Sequence, residues 1–437
     1  MAFSLTGNYI LDFALIQALS VFYLSDAALV LMKWRESENQ AVRRLFEPPA
    51  AAWYEKAAGT NLKLVSSAAN PCMKTTGYSI QVLSRMAEIL PDYRVVSCLS
   101  SPSLCKEWKT IAALQLQFCL EYQKENKCTP RECAAILEGG AFLLHAVNPM
   151  EEGQDFLFDL QKLSQKIMEE LDIDLAGTME LAVVIRGLTA WLRRNHINHQ
   201  RSDFLSFLVL EILNRKNRSG LFRISIEGYA SVLIGQQLFI LDVLLQSYPY
   251  VQLDFVLEQI FDMFSSLYRF AYKDAIELLS FKRKNISYTA FEIGALITCL
   301  SSIGEYSTNE SGQKNTINKM IDSFLELLVQ SYIQSHEKEI KRLIRWICLS
   351  HEGIIQKKDK PSIRTIFPKR IHLSNHHAGI AWNRNGLINQ ADILYLCCSM
   401  ISLIDKNDTD DLYPGNLKID IPTMESLKVL YELLFHP

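Results

Sequence analysis

Glycine and proline are scarce in this chain, at 18 and 13 of 437 residues. Hairpins and sandwich turns need both residues repeatedly, so a protein built mainly of sheet is excluded and an all-α fold is expected. An excess of charge is also missing: 45 Lys and Arg stand against 48 Asp and Glu, for a net charge of −3. Without a basic surplus the chain cannot neutralise many phosphates, and nucleic acid is not expected as a partner. The basic clusters at Arg193-Arg194, Arg215-Lys216-Asn217-Arg218, Lys282-Arg283-Lys284 and Lys357-Lys358 lie between apolar runs and read as solvated loops. No P-loop, no G-x-G-x-x-G after a strand, no G-x-S-x-G elbow, no H-E-x-x-H and no kinase motif set occurs, which argues against nucleotide-driven chemistry. The ten cysteines include no C-x-x-C pair, although six of them fall between Cys72 and Cys133. Irregular spacing in a chain of this size suggests reduced thiols and a cytoplasmic setting.

What is present is apolar: 49% of residues are hydrophobic and 21% charged, proportions that allow a substantial core. The most apolar stretch, residues 13–32, has no basic flank and no small-residue cleavage site of the kind that marks a leader. It carries Gln17 and Asp26, and a central Asp alone costs about 3 kcal/mol on bilayer-insertion scales. The segment is therefore expected to be a buried first helix rather than a membrane anchor.

No long low-complexity linker divides the chain, so residues 1–437 are expected to form one all-helical domain. Apolar residues recur at helical spacing, as in Ile80, Leu83, Met86, Ala87 and Leu90, or Leu205, Leu208, Val209, Ile212 and Leu213. Helices of this length would number about fourteen. A recurrent pattern marks expected helix starts: Thr76-Gly77-Tyr78, Glu138-Gly139-Gly140, Thr178-Met179-Glu180, Glu227-Gly228-Tyr229, Phe291-Glu292 and Asn389-Gln390-Ala391-Asp392 each precede an apolar run. Most starts lie about 40–65 residues apart, the span of one helical hairpin, with one gap nearly double that. The runs at 232–245, 295–303 and 393–404 are apolar nearly all round, whereas 164–172 and 334–347 carry a charged face. Helices apolar on every side must be buried on every side. An inner ring of such helices wrapped by amphipathic ones satisfies this, giving an α/α toroid of about six to seven hairpins; an open α-solenoid is the alternative.

In layout the repeat resembles the helical-hairpin toroids of glycan-active enzymes, terpenoid cyclases and lanthionine-forming cyclases. That resemblance implies a site where the loops entering the inner helices converge. The expected lining is Tyr78, Glu138, Glu180, Glu227, Tyr229 and Glu292 from the helix starts, with Trp382 and Asn389 from the segment 372–392. These would bind substrate.

The segment 372–392 holds three of the nine histidines, four asparagines, an arginine and a tryptophan, ahead of Asp392. His376 and His377 are candidate general acids or bases, with Asp392 orienting one of them or binding substrate. A metal reading with His372, His376 and His377 competes, but adjacent histidines point apart and no further ligand lies at a familiar spacing. No metal is assigned, and no cofactor is identified. The run His376-His377-Ala378-Gly379 resembles the His-Gly segment of lanthionine cyclases, but Ser374 and Asn375 stand where that family has a zinc-binding Cys. Asp408-Thr409-Asp410-Asp411 resembles the D-x-D-D acid of class II terpenoid cyclases, yet it sits in a polar stretch and reads as a solvated acidic turn. His145, following an apolar run, reads as a core-edge histidine satisfied by a carbonyl.

The expected function is an enzyme or a protein binding a small molecule or peptide through this acid- and His-lined mouth. The alternative is a helical scaffold for a protein partner, with aromatic outer segments such as 255–272 supplying contacts. If the first helix belongs to the core, deleting residues 1–34 is expected to cause aggregation or loss of cooperative unfolding. A truncated chain that stays monomeric and melts like the intact one would make the segment an appendage.

Overall fold

The computed structural model describes residues 5–24, 27, 31, 56–57, 72–93, 99, 102–146, 154–194, 199–218, 220–223, 234–251, 253, 255–260, 262–263, 266, 285–306, 311–356, 370–374, 379–383 and 388–404. Helix dominates them. In chain order the helices are α1 (Tyr9–Leu19), α2 (Met73–Ile89), α3 (Pro102–Glu125), α4 (Pro130–Ala146), α5 (Gln154–Glu170), α6 (Thr178–Arg194), α7 (His199–Asn214), α8 (Ile234–Val251), α9 (Ala290–Tyr306), α10 (Ser311–His351) and α11 (Gln390–Ile404). No helix among the described residues is long and apolar enough to cross a membrane.

The helices sort into two sets, as their side chains require. α2, α4, α6, α8, α9 and α11 pack side by side: α2 on α4, α4 on α6, α6 on α8, α8 on α9, α9 on α11, and α11 on α2. Between them, α3, α5, α7 and α10 lie against one or two members of that set. In α11, residues Ile393 through Ile401 are all buried, while α5 alternates buried Leu160, Leu163 and Ile167 with exposed Gln161, Lys162 and Glu169. The runs apolar all round are thus the inner helices, and those with a charged face are the outer ones.

α1 belongs to the core, as expected. It is buried from Leu11 to Leu19, continues as one π-turn (Ser20–Leu24), and packs on α2, α10 and α11. Asn8 caps it by accepting from the Ile10 and Leu11 amides at 3.0 and 3.1 Å. Its buried Asp12 is satisfied by the Leu5 and Thr6 amides and the Thr6 hydroxyl, and Gln17 donates to the Tyr332 hydroxyl at 2.8 Å. Polar groups that would be costly in lipid are here paired inside the protein.

Two of the expected helix starts are corrected. α2 begins at Met73 and α4 at Pro130, so Gly77 and Gly139-Gly140 lie inside helices rather than in the turns before them. Their lack of a side chain serves close packing. A Cβ added at Gly77 would stand 2.2 Å from the Ala135 carbonyl oxygen, one at Gly139 2.6 Å from the Gly77 oxygen, and one at Gly187 2.5 Å from the Ala134 oxygen. Backbones of α2, α4 and α6 therefore touch directly. The starts of α6, α9 and α11 fall within a residue or two of the expected positions. Helices α4 and α9 open with reciprocal capping boxes, Thr129 with Glu132 and Thr289 with Glu292.

Beside the expected helices the described residues also hold short strands, which the all-α expectation did not include. The antiparallel strands β2 (Asn285–Tyr288), β3 (Arg370–Ser374) and β4 (Gly379–Asn383) form one three-stranded sheet, with His372 opposite both Ser287 and Ala381. A second pair joins β1 (Lys56–Ala57) to β5 (Ile388–Asn389) just before α11. β3 and β4 carry Ile371, Leu373, Ile380 and Trp382, β-formers in short runs that helical periodicity does not register. The thiol expectation holds for eight cysteines, which are free, but not for Cys348, which is disulfide-bonded.

Gly77→Ala is expected to destabilise by about 3 kcal/mol or more, because its clash is with rigid backbone. Gly140→Ala, whose added methyl meets only the Leu160 side-chain ends at 2.7 Å, should cost clearly less. Equal urea midpoints for the two variants would overturn the close-crossing account.

Candidate functional site

Three of the inner helices each carry a charged side chain into the interior. Arg186 lies midway along α6, Glu138 midway along α4 and Asp242 midway along α8, all with relative exposure of 9% or less. Arg186 Nε donates to Glu138 Oε1 at 2.7 Å. The guanidinium carbon lies 4.8 Å from the centre of the Tyr395 ring, 5.6 Å from Tyr78 and 5.7 Å from Phe239. These rings come from α11, α2 and α8, and Phe291 from the first turn of α9 joins them at 5.0 Å from Tyr395 and 5.5 Å from Phe239. A cation buried among aromatic faces gains from the ring quadrupoles what it loses in water only in part, so the carboxylate is needed as well.

Helix packing sets this convergence. Tyr78 and Tyr395 meet near the starts of α2 and α11, at 5.6 Å between rings. Toward the ends of the same helices Arg85 reaches the Ile401 carbonyl at 3.5 Å and sits 5.3 Å from the Phe142 ring of α4. The three helices thus run in the same direction. Gly294 leaves room for the Tyr395 ring, which a Cβ there would approach to 2.9 Å.

Electrostatics divide the polar groups by role. Burial works against the Arg186 charge, but Glu138, Tyr78, Tyr395 and Asp242 together hold its pKa well above the ordinary value. It is a permanent cation. Asp242 accepts from Ser302 at 3.0 Å and from Gln246 at 2.9 and 3.0 Å. Burial nevertheless raises it from the usual 3.8 to about 6, with Arg186 and these donors opposing the rise. Burial pushes the Tyr78 phenol well above its usual value, and the Tyr395 phenol upward too. Two donors remain unspent. Arg186 Nη1 and the Tyr395 hydroxyl, which lies near Thr298 and Arg186, make no hydrogen bond of normal geometry. An interior with unspent donors beside a fixed cation can accept the oxygens of an anion.

Lys74, one turn before Tyr78, extends the same wall outward. Its ammonium lies 5.9 Å from the Tyr78 ring centre and 5.5 Å from Phe291. Burial, Arg131 and Arg186 lower its pKa, while Asp392 and Cys72 act the other way.

Of the residues expected from sequence to form the site, Tyr78 is part of this cluster and Glu138 is its counter-ion. Asp392 stands in the first turn of α11, partly buried and within electrostatic reach of Lys74. Glu180 is in the first turn of α6, partly exposed. The Glu292 carboxylate accepts from the Thr289 amide at 2.8 Å in the α9 capping box, and an added Cβ at Gly235 would meet its Cγ at 2.3 Å. Trp382 pairs in register with Ile371, and Asn389 with Lys56. His376, His377, Glu227, Tyr229 and the acidic run 408–411 lie outside the described residues. His145 is corrected: it is largely exposed, and its Nδ1 pairs with Glu88 at 2.6 Å rather than with a carbonyl. Among the described residues no group of three His, Cys, Asp or Glu side chains could hold a metal ion.

Sequence reading passed over Arg186, Asp242, Phe239, Phe291, Tyr395 and Lys74. A signal existed for the first two: a lone charge inside an otherwise apolar helix must find a partner once buried. The aromatics gave none, because rings at helical spacing look like core. The chain matches no protein-family model and no curated protein.

Asp242 generates a pH prediction. Its folded-state pKa lies above the unfolded one, so between about pH 4 and 6 the folded protein binds more protons, and this residue's contribution falls as pH rises through that window. Asp242→Asn should gain on the wild type by on the order of 3 kcal/mol between pH 4 and 7 in urea unfolding. A stability difference independent of pH would show that Asp242 is ionised throughout.

Proposed function

We propose that the chain is one domain whose six inner helices close into an α/α toroid, and that it binds a small molecule bearing an anionic group. The return of α11 onto α2 supports closure. The single observation that carries the binding reading is Arg186 Nη1, a buried charged donor with no hydrogen-bond partner, beside the Tyr395 hydroxyl, which lies near Arg186 and Thr298. Such groups cost stability when left unmade, and a ligand carboxylate would satisfy both. The rings of Tyr78, Phe239, Phe291 and Tyr395 favour an aromatic or apolar body on that ligand.

Entry is proposed from the end where the inner helices begin. There Arg131 and the helix N-termini favour an anion, and Asp392, Glu180 and Glu292 belong to the same ends. His376 and His377, with Asp392, remain the proposed acid-base groups of an enzyme at that mouth, and Trp382, Asn389, Glu227 and Tyr229 its proposed outer lining.

Benzoate serves as a probe. At saturating concentration it should raise the melting temperature of the wild type, in proportion to RT ln(1 + [L]/Kd). Arg186→Gln alone would strand Glu138 and cost about 3–5 kcal/mol, so the double variant Glu138→Gln/Arg186→Gln is the better test of binding. Benzoate should not stabilise the double variant and should stabilise Tyr395→Phe less than wild type. Equal stabilisation of all three would sink the reading.

A further inference from the structure

We propose that Lys74 is a nucleophile that forms an imine with the carbonyl carbon of an oxo acid whose carboxylate is held by Arg186. This rests on the anion-binding reading above and extends it from binding to covalent chemistry.

The geometry points to Lys74 for three reasons. It stands on α2 one turn from Tyr78, and both Lys74 and Arg186 lie over the Tyr78 ring, at 5.9 and 5.6 Å from its centre. These distances put the amine and the guanidinium carbon no more than about 11.5 Å apart. Its amine is uncommitted: beyond the two aromatic faces it makes no hydrogen bond and no ion pair among the described residues. Lysines at protein surfaces spend their charge in water or on carboxylates, whereas this one is partly enclosed by Tyr78 and Phe291. Finally, burial and a neighbouring cation outweigh the anionic groups that face it. Burial comes first and Arg131 second in lowering its pKa below the usual 10.5; Asp392 and Cys72 oppose them, and Arg186 adds a smaller push in the same direction as Arg131. A desolvated lysine beside another cation is the arrangement that yields a neutral, nucleophilic amine.

The reaction balances without an external oxidant or reductant. The Nζ lone pair attacks the carbonyl carbon, a C–N bond forms, and the C=O π pair moves to oxygen, which takes up a proton as nitrogen gives one up. The carbinolamine oxygen then leaves as water as the nitrogen lone pair closes the C=N bond and its last proton passes to solvent. Asp392, within electrostatic reach, could relay that proton.

The experiment uses the full chain, 4-carboxybenzaldehyde and cyanoborohydride, which reduces the imine to a stable amine located by peptide mass spectrometry. At about pH 7.5 an ordinary lysine is almost wholly protonated, so selective labelling of Lys74 is expected. The neutral methyl ester of the probe should label it at least about tenfold more slowly, the loss of one charge-assisted contact. Lys74→Arg should abolish labelling at this position. Labelling spread evenly over surface lysines, with benzoate still stabilising the protein, overturns the nucleophile and leaves the anion site standing. Labelling of Lys74 at equal rates by acid and ester overturns the proposal by removing Arg186 from it, and a missing benzoate response would then fail the binding reading too.

Discussion

An arginine cannot shed its proton inside a protein, and in this chain that constraint organises the interior. Arg186 is enclosed among groups from α2, α4, α8 and α11, so its charge must be compensated from other helices. Glu138 supplies the counter-charge from α4, and Tyr78, Phe239 and Tyr395 supply π faces from α2, α8 and α11. For one side chain to meet all of these, four helices have to stand at fixed heights relative to α6. A slide of one helix by a single turn would move its partner about 5.4 Å and strand the charge. An apolar replacement of equal volume could match or exceed the pair in stability. What the pair adds is a fixed relative height for the helices and a donor held ready in a dry place.

The spacing of the helices follows two different rules on the two sides of that centre. Between α2, α4 and α6 the contacts are Gly77 on Ala135, Gly139 on Gly77 and Gly187 on Ala134, so backbones approach as closely as their atoms allow. Between α8, α9 and α11 the gap is filled by Phe239, Phe291 and Tyr395, whose ring centres lie 5.0–5.7 Å apart. Small residues on one side and large rings on the other are the two ways of filling an interior at uniform density. The aromatic wall of the candidate site therefore coincides with the part of the core that is held apart by side chains rather than by backbone contact.

Much of this was legible in the sequence, and the failures have physical causes. The buried first helix, the division into all-round apolar and one-faced helices, and the starts of α6, α9 and α11 follow from periodicity and charge placement. Gly77 and Gly139 misled because glycine is used both where a chain turns and where two helices touch, and one sequence does not distinguish those uses. The short strands at 370–374 and 379–383 escaped because five residues of β-former give too little pattern to outweigh a helical context. The site itself was half visible: Tyr78 and Glu138 were singled out, but as entrants to a turn rather than as occupants of the core. Arg186 and Asp242 were visible as lone charges in apolar runs, and their convergence could not be read without the packing that brings residues 48 or more positions apart together.

Two cations over one tyrosine ring would be an expensive arrangement if both were permanent. Arg186 holds its proton because Glu138 bonds it directly at 2.7 Å, whereas Lys74 has no such partner and faces Arg131 as well. Burial of the lysine, with Arg131 and more weakly Arg186 beside it, favours its neutral form, which the arginine cannot adopt. The same repulsion that makes Lys74 a poor anchor for an anion makes it a better nucleophile, while the ion pair that fixes Arg186 removes it from proton chemistry and leaves it to bind. An arriving carboxylate would cancel part of the Arg186 field and so raise the lysine's proton affinity again; covalent capture therefore has to take place while the amine is still neutral, and the enclosing Tyr78 and Phe291 rings, by keeping water from the amine, oppose that reprotonation.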